Sequence, residues 1–307
     1  MDTKSIYTNR KNIVLLATLC CFLWGSAYPC IKIGYKLFNI PTDDITSKFV
    51  FAGVRFFLAG LIVLAISLVL KKNIFSFNKK EMLEITFLGL GQTSLQYIFF
   101  YVGMTFTTGI TGSIITGSGT FFSIILAHFI YKNDKINRNK VVGCIVGFAG
   151  VVLANLNNGS LLKSSFSFKG EGLIMLAALS LSIFSIYGKK ITQKLDAFIV
   201  TGYQLSIGGL ALIILGYGLG GKLVGFNIKS TLLLIYMALL SSVAFSIWTI
   251  LLKYNKVAFI SMFNFLVPVF GAILSAIFLG ENIFDVNLLL SLILVCIGIF
   301  TVYKQHN

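Results

Sequence analysis

Apolar segments of about the length needed to cross a lipid bilayer recur along this chain, with short polar connections between them. A helix crosses the hydrocarbon core with about 20 mainly apolar residues. Only 11% of the 307 residues are charged, too few to cover the surface of a soluble protein of this size. The pattern predicts an all-α integral membrane protein with ten transmembrane helices. The predicted spans are 13–33, 48–70, 83–103, 107–131, 141–157, 171–188, 197–218, 231–252, 257–279 and 286–303.

Basic residues are distributed unevenly between the predicted loops. The net charge of +15 by itself suggests nucleic-acid binding. With the N-terminus placed inside, however, 17 of the 25 Lys and Arg residues fall on the inner side and 7 on the outer side. Such a bias is typical of membrane proteins, whose basic loops stay in the cytoplasm. We therefore expect a multi-pass protein of a bacterial plasma membrane, with both termini cytoplasmic, that contacts the lipid bilayer and no nucleic acid.

The second half of the chain repeats the frame of the first half. At an offset of 149 residues, Gly53 corresponds to Gly202 and Gly60 to Gly209. Two further pairs of stretches match at offsets of 147 and 148, namely 131–136 with 278–283 and 143–150 with 291–298. This repeat predicts two units of five spans each, residues 1–156 and residues 157–307.

The odd number of spans in each unit determines the relative orientation of the two units. Because five is odd, the second unit must cross the membrane in the opposite sense, which makes the repeat inverted. Transporters with inverted repeats bind their solute near the bilayer midplane, at the interface between the repeats. We expect such a carrier for a small-molecule solute, acting as a monomer or a homodimer.

Five stretches carry a resemblance to a known family. They are "LWGSAYPCIKIG" (23–34), "RFFLAGL" (55–61), "SLQYIFFYVGM" (94–104), "AFSIWTILLKYNKVAFISMFNFLVPVFGAILSAIFLGENI" (244–283) and "LILVCIG" (292–298). In this order, and with two five-span repeats, the chain resembles ten-span transporters of the EamA type in the drug/metabolite transporter (DMT) superfamily. The resemblance implies export of amino acids, related metabolites or drug-like compounds.

The chain departs from the family pattern at two positions of the first repeat. Phe121 stands in span four where the family usually has a proline equivalent to Pro268 of span nine. Asp134 replaces the usual glutamate, and its counterpart in the second repeat is Glu281. We expect the first repeat to kink less than the second, with Pro268 and Glu281 as structural or gating residues.

Polar and aromatic side chains recur at helical spacing inside several predicted spans. Hydrogen-bonding groups at membrane depth are costly when they face lipid, so they should face the protein interior or a wet cavity. Aromatic rings beside them would suit a small amphipathic organic solute. Small polar residues in such stripes also serve helix packing, and both interpretations stay open. The predicted cavity-lining residues are Trp24, Gln92, Gln96, Tyr97, Tyr101, Thr116, Trp248 and Asn264.

Arg55 lies seven residues into the second predicted span. A centrally placed arginine costs about 2.5–3.5 kcal/mol on insertion scales. In one interpretation its side chain reaches the outer headgroups or a backbone carbonyl and fixes span two to a neighbour. In the other it binds an anionic solute or acts as a gate. Its counterpart Gln204 keeps the hydrogen bonding and lacks the charge, so both residues are structural or gating candidates.

The remaining chemistry-bearing residues are sparse. All ten acidic residues lie in loops or at span ends, away from the membrane centre where proton-coupled carriers typically hold a carboxylate. Facilitated diffusion or exchange is therefore the more economical hypothesis. The five cysteines show no CxxC spacing, and two histidines are too few for a histidine cluster. We expect no disulfide framework, no metal and no cofactor.

The sequence as a whole predicts a secondary transporter that exports a small amphipathic metabolite by alternating access. An enzyme is not expected, because no HExxH motif, intramembrane carboxylate pair or Ser/His/Asp set is visible. Uptake of a metabolite is the alternative within the carriers. A lipid flippase or a channel is a more distant alternative.

Overall fold

The structure, a computed structural model, describes residues 3–107, 112, 115–154, 167–279 and 286–303, which are mostly helical and contain no strand. Up to residue 154 the helices are α1 (Thr3–Thr8), α2 (Arg10–Leu37), α3 (Ile45–Val69), α4 (Lys79–Gly89), α5 (Gln96–Thr105), α6 (Gly119–Ile130) and α7 (Arg138–Ala154). From residue 167 they are α8 (Leu173–Thr192), α9 (Ala197–Gly218), α10 (Ile228–Tyr254), α11 (Val257–Met262), α12 (Leu266–Leu279) and α13 (Val286–Tyr303).

Irregular helical turns interrupt three of the longer stretches. A π-helical segment, Leu90–Leu95, joins α4 to α5, and a second one, Phe168–Gly172, leads into α8. A 3-10 turn, Phe263–Phe265, joins α11 to α12. Pro268 lies in the first turn of α12 and has no N–H to donate to the carbonyl of Asn264, so the helical hydrogen bonding is interrupted at this junction. Phe121 lies inside the regular helix α6.

Six stretches within the described ranges are long and apolar enough to cross a membrane, which makes this a multi-pass membrane protein. They are Arg10–Leu37, Ile45–Val69, Phe168–Thr192, Ala197–Gly218, Ile228–Tyr254 and Val257–Phe278. The apolar stretches Ile115–Ile130 and Leu289–Val302 are shorter. The continuous stretch from α4 to α5 carries four consecutive or near-consecutive polar residues, Gln92, Thr93, Ser94 and Gln96. A total of ten spans therefore stays a prediction.

Side-chain caps explain why several helices begin up to four residues before the predicted apolar spans. The first N–H groups of a helix have no acceptor inside the helix and donate instead to the oxygen of a capping side chain. Asp44 caps α3, Asp196 caps α9, and Asn78 and Asn227 form capping boxes at the starts of α4 and α10. Because these cap residues are polar, the apolar pattern assigns them to loops, although they bond to the first turn of the helix.

Helices α3 and α9 cross at four glycines in close contact. A Cβ atom on Gly53 would lie 2.8 Å from the carbonyl oxygen of Gly209, and one on Gly60 would lie 2.5 Å from that of Gly202. The helices run antiparallel, since the residue numbers rise along one and fall along the other. In the sequence repeat Gly53 corresponds to Gly202 and Gly60 to Gly209. In the structure the contacts are crossed, because Gly53 meets Gly209 and Gly60 meets Gly202. This exchange is the pattern of a contact about a twofold axis.

Helices α7 and α13 show the same exchange. A Cβ atom on Gly143 would lie 2.7 Å from the carbonyl oxygen of Gly298, and one on Gly150 would lie 2.7 Å from that of Ser291. In the sequence repeat Gly143 corresponds to Ser291 and Gly150 to Gly298. These two helices are also antiparallel, and small residues allow their backbones to approach closely.

The remaining helix packing also occurs in corresponding pairs. Helix α2 packs against α10 and α12, while α8 packs against α5 and α6. Helix α3 packs against α10, while α9 packs against α4 and the π-helical segment that follows it. Each neighbour in the first half of the chain (residues 1–156) therefore has its equivalent in the second half (residues 157–307).

Both described ends of the chain lie at the same end of the helix bundle. Asn255, just after α10, donates its Nδ2 to the carbonyl oxygen of Tyr7 at 2.9 Å. Near the start of α7, a Cβ on Gly143 would lie 2.6 Å from Val302 in the last turn of α13. We call this end the terminal face. It contains Tyr7, Asn255, Val302 and the loop of residues 131–137.

Candidate functional site

A cluster of six aromatic rings occupies the interior between α2, α3, α5 and α10. Its members are Trp24, Phe56, Tyr97, Tyr101, Phe245 and Trp248, which we call the aromatic cluster. Trp24 stands edge-on to Phe245 at 5.4 Å and to Trp248 at 5.0 Å between ring centroids. Such edge-to-face contacts are favourable for aromatic rings.

The same cluster extends to α3 and α5. Phe56 lies 4.5 Å from Tyr97 and 6.1 Å from Phe245, and Tyr97 lies 6.0 Å from Tyr101. Four predicted cavity-lining residues, Trp24, Tyr97, Tyr101 and Trp248, are thus brought together by tertiary structure. Phe56 was not predicted, although it directly follows Arg55 in "RFFLAGL".

Trp24 also supplies a polar group to this interior. Its indole Nε1 is buried and has no hydrogen-bond partner among the described residues. The hydroxyl oxygen of Ser246, which directly follows Phe245 on α10, is likewise buried and without a partner in the described part of the chain. Buried polar groups are normally paired, so these two groups are candidates for hydrogen bonding to a solute.

Arg55 is fully buried beside the aromatic cluster, with 1% of its surface exposed. Its Nε donates to the hydroxyl of Ser241 on α10 at 2.9 Å, and its guanidinium carbon lies 4.8 Å from the centroid of Phe56. The side chain therefore does not reach outward to the headgroups, and it joins α3 to α10 through a hydroxyl. Within the described ranges no carboxylate lies at salt-bridge distance from it.

Gln204, the counterpart of Arg55, is buried on α9 with 2% of its surface exposed. Its backbone contacts α4 so closely that a Cβ on Gly89 would lie 2.8 Å from the Gln204 carbonyl oxygen. The amide Nε2 has no hydrogen-bond partner among the described residues. A buried donor without a partner costs about 1–3 kcal/mol.

The other predicted site residues are dispersed. Gln92 is buried in the π-helical segment and donates its Nε2 to Ser185 on α8 at 3.3 Å, while Gln96 is half-buried at the start of α5. Thr116 donates to the carbonyl oxygen of Gly112, four residues earlier, at 2.7 Å. Asn264 is half-buried in the 3-10 turn, and Pro268 is buried in α12. Glu281 lies outside the described residues.

A cavity of about 940 Å³ opens at the terminal face. One side is lined by the end of α6 and the loop that follows it. The other side is lined by the ends of α8 and α10 and by the residue before α11. We call it the terminal cavity. Its lining consists of Ile130, Tyr131, Asn133, Asp134, Ile183, Ile186, Tyr187, Lys189, Lys190, Gln193, Lys253, Tyr254, Asn255 and Lys256.

The residues of the terminal cavity were not predicted from the sequence. The sequence pattern counts its lysines only as part of the bias of basic residues toward the predicted inner loops, and that bias predicts no cavity. One signal was present in the sequence: Ile183, Tyr187 and Lys190 recur at helical spacing, so they share one face of α8.

A buried ion pair of the first half lies beside this cavity, and its carboxylate also binds the second half. Lys140 Nζ lies 2.7 Å from Asp134 Oδ1, and both side chains are less than a tenth exposed. Asp134 Oδ2 accepts the backbone N–H of Ala258 at 3.0 Å, at the start of α11. The loop after α6 is thereby fixed to the second half. Elsewhere in the described part of the chain, no group of three or more His, Cys, Asp and Glu side chains is placed to hold a metal ion.

Comparison with known proteins places these features in a family. The model of the EamA-like transporter family matches residues 11–156 and again residues 168–304. An uncharacterized transporter of Archaeoglobus fulgidus is 28% identical over 303 residues, which cover 97% of this chain and 100% of that protein. The uncharacterized transporter YoaV of Bacillus subtilis is 24% identical over 284 residues, which cover 91% and 92%.

More distant likenesses extend to a plant protein and to a solved fold. The chloroplastic WAT1-related protein At3g02690 of Arabidopsis thaliana is 24% identical over 87% of this chain and 64% of its own length. One crystal structure matches with a TM-score of 0.79 over 97% of this chain and 98% of that chain, at 15% sequence identity. At this identity the match establishes a shared fold.

Proposed function

Because the chain belongs to the EamA-like transporter family, we propose that it is a secondary transporter that exports a small amphipathic metabolite by alternating access. Its halves, residues 1–156 and 157–307, act as two inverted units of five spans each. The exchanged glycine contacts of α3 with α9 and of α7 with α13 support this arrangement, since a twofold relation between the halves produces them. The two separate ranges matched by the family model support it as well.

The observation that carries the proposal is the terminal cavity, which lies between elements of both halves. Residues 130–134 come from the first unit, and residues 183–193 and 253–256 come from the second. Inverted-repeat transporters hold solute at the interface of their repeats and open it alternately to each side. A cavity at this interface that opens at one face corresponds to one of the two access states.

The aromatic cluster is the surface that we propose for solute contact deeper in the protein. Trp24, Tyr97, Tyr101 and Trp248 give it apolar faces, and the unpaired indole N–H of Trp24 gives it a donor. Gln96, Thr116 and Asn264 are half-buried candidates on neighbouring elements. Polar groups and rings at one interior position suit an amphipathic solute.

Exchange or facilitated diffusion is the proposed driving mechanism. The acidic residues buried within the described ranges are already engaged in contacts at helix ends. Asp134 pairs with Lys140, and Glu171 accepts from Thr107 at 2.6 Å and from the Ser167 N–H at 2.8 Å. Accumulation of solute in proteoliposomes driven by a pH gradient alone would contradict this mechanism.

The proposed orientation places the terminal face in the cytoplasm. Both described chain ends lie on this face, and the predicted inner loops carry most of the basic residues. The terminal cavity then opens toward the cytoplasm, as an exporter needs when it collects solute. Bacterial relatives such as YoaV support a bacterial plasma membrane as the location.

Loss-of-function metabolomics followed by reconstitution tests the proposal. Cells that lack the protein are expected to accumulate one or a few small amphipathic metabolites. The purified protein in proteoliposomes is expected to move the same compound at a rate that saturates with concentration. Depletion of the compound inside the mutant cells would indicate uptake, and ohmic current without saturation would indicate a channel.

A further inference from the structure

The terminal cavity carries more cationic groups than its own acid can balance. Lys189, Lys190, Lys253 and Lys256 all line it, and Asp134 is the acidic residue of the lining. Asp134 is 1% exposed. Its two carboxylate oxygens are already taken by Lys140 and by the N–H of Ala258. The carboxylate is therefore already paired with Lys140, so the four lysines of the lining outnumber the acidic groups that face them.

Uncharged groups hold two of these lysines in place. Lys189 donates its Nζ to the carbonyl oxygen of Asn255, and the same Nζ lies 5.4 Å from the centroid of the Tyr131 ring. Lys253 donates to the carbonyl oxygen of Leu195 at 3.2 Å. Within the described ranges, none of the four cavity lysines has a carboxylate at salt-bridge distance. Cationic groups that outnumber the acidic groups of a cavity create a positive potential that attracts anions into it.

The charge bias of membrane proteins accounts for only part of this arrangement. The positive-inside rule places lysines in loops and at helix ends on the cytoplasmic side. It does not require them to share a cavity with aromatic rings. Lys72 shows the ordinary case, because it lies at the end of α3 and pairs with Asp196 at 2.7 Å.

Polarity changes steadily along one wall of the cavity. Ile183, Ile186, Tyr187 and Lys190 follow one face of α8 from the interior of the bundle to the terminal face. Seven residues of helix extend over about 10 Å. A ligand lying along this wall would therefore meet apolar side chains at one end, a phenol in the middle and an ammonium group at the other end.

We propose that the terminal cavity binds small organic anions, with a carboxylate among the lysines and an apolar or aromatic body along Ile183, Ile186 and Tyr187. The inference rests on the proposed function, since it names the class of solute that the exporter collects at its cytoplasmic mouth. A primary ammonium group meets no unengaged carboxylate in this lining, because both oxygens of Asp134 already accept hydrogen bonds. Amines and cationic drugs are thereby disfavoured.

Three probes of matched shape test this inference by calorimetry on the full-length protein in nanodiscs of zwitterionic lipid. The probes are 3-phenylpropionate, 3-phenylpropanamide and 3-phenylpropylamine, which share the apolar body and differ in the charge of the head group. The carboxylate is expected to bind at least tenfold more tightly than the amide, and its affinity is expected to fall as salt is added. Equal binding of the three probes, or tighter binding of the amine, would overturn the inference.

Matched lysine variants assign the binding to the cavity. Within the described residues, the side chains of Lys190 and Lys256 make no hydrogen bond or ion pair, so Lys190→Gln with Lys256→Gln should preserve the fold while removing two charges. The carboxylate preference is expected to fall at least fivefold in this variant and to survive in Lys190→Arg with Lys256→Arg. The control, Lys222→Gln with Lys229→Gln, removes two exposed charges, one from the loop after α9 and one from the first turn of α10, and should change nothing. An unchanged preference in the first variant would contradict the assignment.

Flux measurements separate this inference from the proposed function. Proteoliposomes that move a neutral or cationic solute with saturation, without any preference for anions in binding, would contradict the inference and leave the transporter proposal intact. Preferential binding of 3-phenylpropionate without saturable flux of any tested solute would support the anion site and contradict the transporter proposal.

Discussion

Arg55 and its counterpart Gln204 occupy equivalent buried positions with different chemistry. Arg55 has a hydroxyl partner on α10 and an aromatic face beside it, whereas the Gln204 Nε2 has no partner within the described residues. The sequence was sufficient to select this pair as structural or gating candidates, because a charge inside a span is rare. It could not identify Ser241 as the partner, since 186 residues separate the two and no local pattern connects them.

The contribution of Ser241 to stability is expected to depend on the presence of Arg55. Ser241→Ala removes the hydroxyl that accepts from the buried guanidinium, and losing a hydrogen bond to a charged group costs about 1.5–3 kcal/mol. Arg55→Gln with Ser241→Ala removes the charge as well and should lower the melting temperature less than Ser241→Ala alone. Thermal unfolding of the purified protein in detergent measures both. A double variant less stable than Ser241→Ala would show that the guanidinium has other essential partners.

Gln204→Met tests whether the unpaired amide serves stability. Methionine has a similar shape and no polar group to bury, so the variant should be as stable as the native protein or more stable, by about 1–3 kcal/mol. Gln92→Met is the matched control, because the Gln92 amide does donate to Ser185 and its loss should destabilise the protein. Thermal unfolding again provides the measurement. A lower melting temperature for Gln204→Met would mean that the amide is paired in the folded protein.

At the scale of helices, the apolar pattern predicted the positions of the elements well and their irregularities poorly. The 3-10 turn before Pro268 could be anticipated, because proline removes a helical hydrogen bond. The π-helical segment Leu90–Leu95 could not, since nothing in its composition distinguishes it from α-helix. It becomes understandable only in the fold, where a Cβ on Gly91 would lie 1.9 Å from the Phe184 ring. π-segments inside helices are frequent at functional sites.

The glycine contacts of α3 and α9 are expected to tolerate no side chain. In Gly60→Ala the new methyl group would lie 2.4 Å from the backbone nitrogen of Ser206, so the helices must separate, at a cost of about 1–3 kcal/mol. Its counterpart Gly209→Ala should behave alike, because its Cβ would lie 2.4 Å from the nitrogen of Phe57. Unfolding of both variants in detergent is the measurement.

Gly218→Ala is the control, at the last residue of α9. No atom lies within 4 Å of the position of its Cβ, so the substitution should leave the melting temperature nearly unchanged. If Gly60→Ala and Gly209→Ala were as stable as Gly218→Ala, the close crossing of α3 and α9 would be contradicted.

At the scale of the molecule, the repeat could be predicted and the cavity could not. Offsets of 147 to 149 residues recur along the sequence and are visible without a structure. A cavity depends on where helices separate, which is a property of their packing in three dimensions. None of the predicted site residues in the described ranges therefore lines the terminal cavity, whereas four of them meet in the aromatic cluster.

Inversion of the two halves is the claim on which the carrier mechanism depends. Asn73 and Lys222 occupy equivalent positions at an offset of 149 residues, one after α3 and the other after α9, and both are exposed. If the halves are inverted, these two loops lie on opposite sides of the membrane. Native cysteines at five positions must first be replaced, so that a single introduced cysteine reports each loop.

Labelling of Asn73→Cys and Lys222→Cys with a membrane-impermeant maleimide tests this claim most directly. On intact cells we expect Lys222→Cys to react at once and Asn73→Cys to react only after the membrane is permeabilised. Reaction of both cysteines from the same side would contradict the inverted arrangement, and with it the alternating exposure of a shared interior.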